Sequence, residues 1–181
     1  TLYVEYEDAS FTSKKKRSAE WEHLGFLGPV FRGEVGDTIK VVFKNNAQRP
    51  YSIHPHGVFY TKRAEGAEYN DGTSGIDKSD GIVQPGQSFT YEWEVRDRAG
   101  PGPNDPSSIA WLYHSHVSGV QDPSTGLIGV MIISRQGSSD TVTARPNDID
   151  REFINVFWVT DEGLSWHAED NATQILSLIH I

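Results

Sequence analysis

The chain has 181 residues, a net charge of −9 and no cysteine. That length suits one domain with a core of its own. The missing thiols exclude thiolate metal sites, disulfides and cysteine nucleophiles, and the negative charge excludes a basic nucleic-acid footprint. The basic cluster Lys14 to Arg17 reads as an exposed loop. No apolar run approaches the ~18 residues of a membrane span, and no secretory leader is visible. The start at Thr1 and the abrupt apolar end, Ile175 to Ile181, lead us to expect a piece of a longer chain.

Thr1 to Tyr6 alternates Leu2, Val4 and Tyr6 and predicts a strand. Glu7 to His23 is polar and reads as a loop, with Phe11 and Trp21 as anchors. Gly25 to Pro29 turns into a second strand around Val30 to Glu34, and Val35-Gly36-Asp37 is a tight turn. Thr38 to Lys44 points Ile39, Val41 and Phe43 to one side and predicts a strand. Tyr51 to His56 is a short strand, followed by a long Gly/Asp-rich loop over 61–81. Loops of that length in compact domains are usually functional or mobile. Ser88 to Val95, Ile109 to His116, Leu127 to Ser134 and Glu152 to Asp161 complete about eight strands, and no helix is predicted. Short alternating strands separated by turn signals predict an all-β sandwich or small barrel.

Two motifs carry chemistry: Ile53-His54-Pro55-His56-Gly57 and Tyr113-His114-Ser115-His116. Alternate residues of a strand share a face, so each His-x-His aims two imidazoles into one space. Neutral imidazole is a favoured ligand of copper and zinc. We expect the two motifs to meet in the fold and hold metal. A lone His-x-His is more often a pair of ordinary histidines. A four-histidine zinc site also fits, although zinc sites usually include carboxylate or cysteine ligands. His23, His167 and His180 lack a paired partner and read as ordinary residues.

The residues around these motifs carry a resemblance. His54-x-His56-Gly57 and His114-x-His116 resemble the two amino-terminal copper motifs of multicopper oxidases. Leu24 to Pro29, Glu34 to Asp37, Arg49 to His54, Glu65 to Ala67, Thr125 to Gly129, Asp150 to Phe153 and Asp161-Glu162 resemble the first domain of the ceruloplasmin and hephaestin branch of that family. The resemblance implies an all-β, Greek-key cupredoxin (plastocyanin-like) sandwich or barrel. It covers residues 1–171 as one domain and leaves 172–181 as a truncated or unassigned tail.

The resemblance further implies copper-dependent oxidoreductase chemistry. His54 would bind the type 2 copper, and His56, His114 and His116 the type 3 pair. These four would be half of the trinuclear cluster that reduces dioxygen to water. The other half, and the type 1 copper with its cysteine ligand, would come from a carboxy-terminal cupredoxin domain in the same chain or another subunit. Electron donors would be ferrous iron or phenols. Asp71, Asp77, Asp80 and Asp122 are candidate proton sources. The family also binds calcium in the loop corresponding to 61–81, where Lys62, Asp77 and Asp80 match, while Gly81 replaces an aspartate.

In vertebrate relatives a disulfide joins two positions held here by Ser108 and Ser134. The resemblance implies an extracellular, periplasmic or cell-surface location, and Asn171-Ala172-Thr173 is a glycosylation sequon. Trp111 reads as core or cluster shielding. Two other readings remain open at this point. One is a non-catalytic copper-binding or interaction module. The other is the first domain of a trimeric two-domain, laccase-like oxidase.

Overall fold

The computed structural model describes residues 1–179, so His180 lies outside the described residues. Among the described residues, six strands form two sheets. They are β1 (Phe31–Glu34), β2 (Thr38–Lys44), β3 (His54–Pro55), β4 (Ser88–Glu94), β5 (Ser108–His114) and β6 (Ile128–Ser134). One sheet has the order β1-β6-β5-β3, and the other pairs β2 with β4. β1 runs parallel to β6, while β5 is antiparallel to both β6 and β3.

Alternation decides which side chains meet. The β2–β4 register sets Ile39 opposite Trp93, Val41 opposite Tyr91 and Phe43 opposite Phe89. Tyr91 and Trp93 are fully buried and face Tyr113 of β5 and Met131 and Ile133 of β6 across the core. The six residues from Ile128 to Ile133 form a continuous run of apolar residues and glycine, and every residue of β6 is buried. Such a run marks a strand covered on both faces. Leu24, Leu27, Ile154 and Val156 gather with Ile128 in a separate apolar cluster.

Four expectations are corrected. Thr1 to Tyr6 is not a strand, since its one bridge is Tyr6 to Lys14. This segment is held by a side chain instead: Tyr3 is buried and its hydroxyl donates to the Ser52 carbonyl at 2.5 Å. Glu152 to Asp161 is also unpaired. Its alternation is real, with Ile154 and Val156 packed inward, but it forms no backbone ladder, and the Ile154 amide donates to His23 Nε2 at 3.2 Å instead. Phe153, Phe157 and Val159 are left exposed. Glu152 pins the segment through a two-pronged bond to Arg32, with both oxygens at 2.8 Å.

The third correction concerns helices. A four-residue turn, α1 (Gln121–Ser124), follows the second histidine motif, and α2 (Ala168–Ile179) takes up much of the expected tail. Glu169 and Asp170 in the first turn of α2 complement its partial positive charge. The sequon at Asn171 therefore lies within a helix, with Thr173 Oγ1 donating to the Glu169 carbonyl. The predicted strand at Tyr51 to His56 is shorter than expected: a Tyr51–Val83 bridge and the two residues of β3.

Ser108 and Ser134 are direct register partners across β5 and β6. The Arg135 amide donates to the Ser107 carbonyl at 2.8 Å, which makes the serines a non-hydrogen-bonded pair. Cα atoms of such pairs stand ~4.5 Å apart, within the range of a disulfide. The Ser134 hydroxyl is buried without a partner. We expect the double substitution Ser108→Cys/Ser134→Cys to oxidise to a disulfide and raise stability by about 2–4 kcal/mol. Thiol titration together with denaturant unfolding checks this, and two free thiols after oxidation would refute it.

Candidate metal centre

The first motif sits on β3 and the second at the end of β5. Antiparallel pairing places His54 directly opposite His114, and the His56 amide continues the ladder to the Leu112 carbonyl at 2.9 Å. Because alternate residues share a face, His56 and His116 join the same cluster. Ring centroids lie 5.3 Å apart for His54–His56, 5.7 Å for His54–His114 and 5.1 Å for His54–His116. His56–His114 are 5.2 Å apart and His114–His116 5.6 Å. All four histidines expected to act together are therefore brought together. They are not equally open: His54 is 8% exposed, while His56 is exposed.

The tautomers follow from the neighbours. His54 Nδ1 lies 2.6 Å from the Glu65 carbonyl, and His114 Nδ1 lies 2.9 Å from the Ser115 carbonyl. A carbonyl only accepts, so each Nδ1 carries the proton and each Nε2 keeps a lone pair. Burial, with smaller contributions from the neighbouring imidazoles, lowers the His54 pKa to about 4. Burial also lowers those of His56 and His114. Burial thus favours the neutral form of His54, His56 and His114, the form in which imidazole binds a metal. His56 Nε2 and His114 Nε2 approach to 3.1 Å. Among the described residues, however, no group of three or more His, Cys, Asp or Glu forms a site that could hold an ion by itself. The donor chemistry fits copper, while the geometry does not form a closed four-histidine zinc site.

Aromatic residues wall the cluster. Tyr60 meets His54 edge-on at 5.8 Å, and Tyr69 stands 5.5 Å from His116. Trp111 packs against Gly57, where a Cβ would collide with the indole, and its Nε1 donates to the Ala99 carbonyl at 2.8 Å. Trp111 also packs against the main apolar core, which is the core alternative expected for it.

The acidic candidates separate by environment. Asp71 pairs with Lys62 at 2.8 Å, and Asp77 with Arg63 at 2.6 Å. Asp80 and Asp122 are buried. Asp80 Oδ2 accepts the Gly66 amide at 2.7 Å, whereas its Oδ1 is buried with no partner. Lys62 spends its ammonium on Glu65 and Asp71. Sequence reasoning missed the part played by Glu65, Ser52 and Ser115. Glu65 acts on His54 through its main chain, which leaves no side-chain signature. The available signal for the serines was their position, between two histidines and two residues before one.

The multicopper oxidase family model matches residues 3–138. The chain is 49% identical over 148 residues to human "Ferroxidase HEPHL1", covering 82% of this chain and 13% of that protein. It is 44% identical over 170 residues to rat ceruloplasmin, covering 94% of this chain and 16% of that protein. Bovine coagulation factor V is 42% identical over 173 residues, covering 96% of this chain and 8% of its own length. The chain therefore spans less than a fifth of these relatives. It belongs to the multicopper oxidase family.

Proposed function

We propose that this chain is a cupredoxin domain, residues 1–171, supplying half of the trinuclear copper cluster of a ferroxidase-like oxidase. The observation that carries the reading is the set of four neighbouring histidines on two strands, which form no closed site of their own. His54 is the ligand of the type 2 copper, and His56, His114 and His116 are ligands of the type 3 pair. When bound, copper supplies the redox chemistry that reduces dioxygen to water with electrons from ferrous iron or phenols.

This chain's own contribution is to hold ligands. The carbonyls of Glu65 and Ser115 lock the Nδ1–H tautomers, so that Nε2 lone pairs of His54 and His114 point away from the backbone bonds. Tyr60 and Tyr69 restrict water around the rings. With no cysteine, the chain has no type 1 copper ligand of that kind. That metal, and the remaining cluster histidines, belong to a carboxy-terminal cupredoxin domain of the same chain or of another subunit. The location is extracellular, periplasmic or cell-surface, and no described helix is long and apolar enough to cross a membrane.

Calcium is proposed for the 61–81 loop, with Asp80 Oδ1, buried and unpartnered, as the oxygen that favours it. The Lys62 carbonyl and Asp77 complete the set, once Asp77 exchanges its Arg63 contact for the ion.

The test is oxygen uptake by the copper-loaded full-length protein. Consumption with ferrous iron supports the ferroxidase reading. Consumption with phenols alone supports the laccase-like one. No consumption with either, in protein that binds copper, favours a non-catalytic module. The likeness to coagulation factor V, whose name is not that of an oxidase, motivates that second reading.

A further inference from the structure

Beneath the imidazoles runs a line of buried polar groups. Asp122 is 1% exposed. Its Oδ2 accepts from Ser115 Oγ at 2.7 Å and from the Ser118 amide at 3.0 Å, and its Oδ1 accepts from Trp166 Nε1 at 2.9 Å. A carboxylate can use all three donors, because ionised it only accepts. Ser115 Oγ, its proton committed to Asp122, accepts the Ser52 amide at 3.1 Å. Ser52 Oγ donates to the Gly66 carbonyl at 2.6 Å and accepts the His116 amide at 3.0 Å. Both serines are fully buried.

The placement is specific. Ser115 lies between His114 and His116, and Ser52 lies two residues before His54. Each hydroxyl accepts an amide from the other segment, so two reciprocal bonds join the residue before the first motif to the second motif. β3 has only two residues in its ladder with β5. Backbone pairing alone therefore holds the motifs over a very short length, and the serine pair extends the tie. Asp122 sets the direction of that tie. Without an acceptor there, the Ser115 proton is free to rotate toward the Ser52 amide, and two donors would then face each other.

We propose that Asp122 is a positioning residue of the metal centre, acting through the Ser115 and Ser52 hydroxyls to set the separation of the two His-x-His motifs. The proposal rests on the copper reading above. Buried groups that orient ligands are commonly worth ~10–100-fold in metal affinity.

The experiment titrates Cu(II) into the full-length protein that completes the cluster, following affinity by calorimetry and ligand geometry by electron paramagnetic resonance. Asp122→Asn and Ser115→Ala are expected to weaken Cu(II) binding ~10–100-fold and to change the copper hyperfine splitting. Asp122→Glu, which keeps the carboxylate, should recover part of the loss. Trp166→Phe removes a different bond to the same carboxylate; it should lower the melting temperature and leave affinity and spectrum unchanged. If Asp122→Asn fails to fold, Ser115→Ala carries the comparison. Wild-type affinity and spectrum in Ser115→Ala would overturn the proposal, as would an equal loss of affinity in Trp166→Phe. If His54→Ala and His114→Ala bind Cu(II) as tightly as wild type, the copper reading itself fails and takes this proposal with it.

Discussion

Replacing Gly66 by alanine is expected to destabilise the protein by roughly 3–5 kcal/mol. Gly66 is buried and has φ +70, a left-handed conformation that L side chains rarely adopt. An added Cβ would fall deep inside contact with the Ile53 carbonyl, which is backbone and cannot rotate away. The strain and the overlap therefore add. The damage would concentrate at the centre, because Ile53 precedes His54, Glu65 holds the His54 ring, and the Gly66 carbonyl receives Ser52 Oγ. Denaturant unfolding measures the loss. A midpoint equal to wild type would show that the 61–81 loop is not seated against Ile53.

His114→Ala should weaken Cu(II) binding at the cluster of the full-length protein by ~100-fold or more, since the groups that merely orient such ligands are worth ~10–100-fold. His114 stands at the middle of the cluster, opposite His54 in the ladder and with its Nε2 3.1 Å from that of His56. Its removal takes a neutral, pre-oriented donor from the centre while sparing the buried aromatic core. The comparison variant is His167→Ala. That ring bonds to Thr1 Oγ1 at 3.0 Å, outside the cluster, and its loss should leave copper binding intact. Calorimetric titration of both variants decides the matter. Equal affinity in the two would mean that the assigned histidines are not where copper binds.

Much of the sheet framework was legible in sequence because the side-chain period of a strand is local. Thr38 to Lys44 and Ser88 to Val95 alternate cleanly and became β2 and β4, and the apolar run before Ser134 became β6. The same rule misread Thr1 to Tyr6 and Glu152 to Asp161. Alternation reports a buried face, and both segments have one, through Tyr3 and through Ile154 and Val156. It does not report whether another strand edge is available to take the backbone bonds. The helix over Ala168–Ile179 was missed because its apolar residues were read as a tail end rather than as a helical turn. The serine positions drawn from the family likeness did meet, as register partners.

By itself, the sequence determined the chemistry available at the centre. It provided imidazole donors in two strand-spaced pairs, no thiol, and enough apolar alternation to build a sandwich. These are properties of residue type and of spacing over a few positions. Only the tertiary structure decided that His54 faces His114 across 60 residues of chain, that carbonyls of Glu65 and Ser115 choose the tautomers, and that Asp122, Ser115 and Ser52 tie the motifs from below. Strand register, main-chain acceptors and buried hydroxyl direction arise from pairing between distant segments, and residue spacing within either segment carries no record of them.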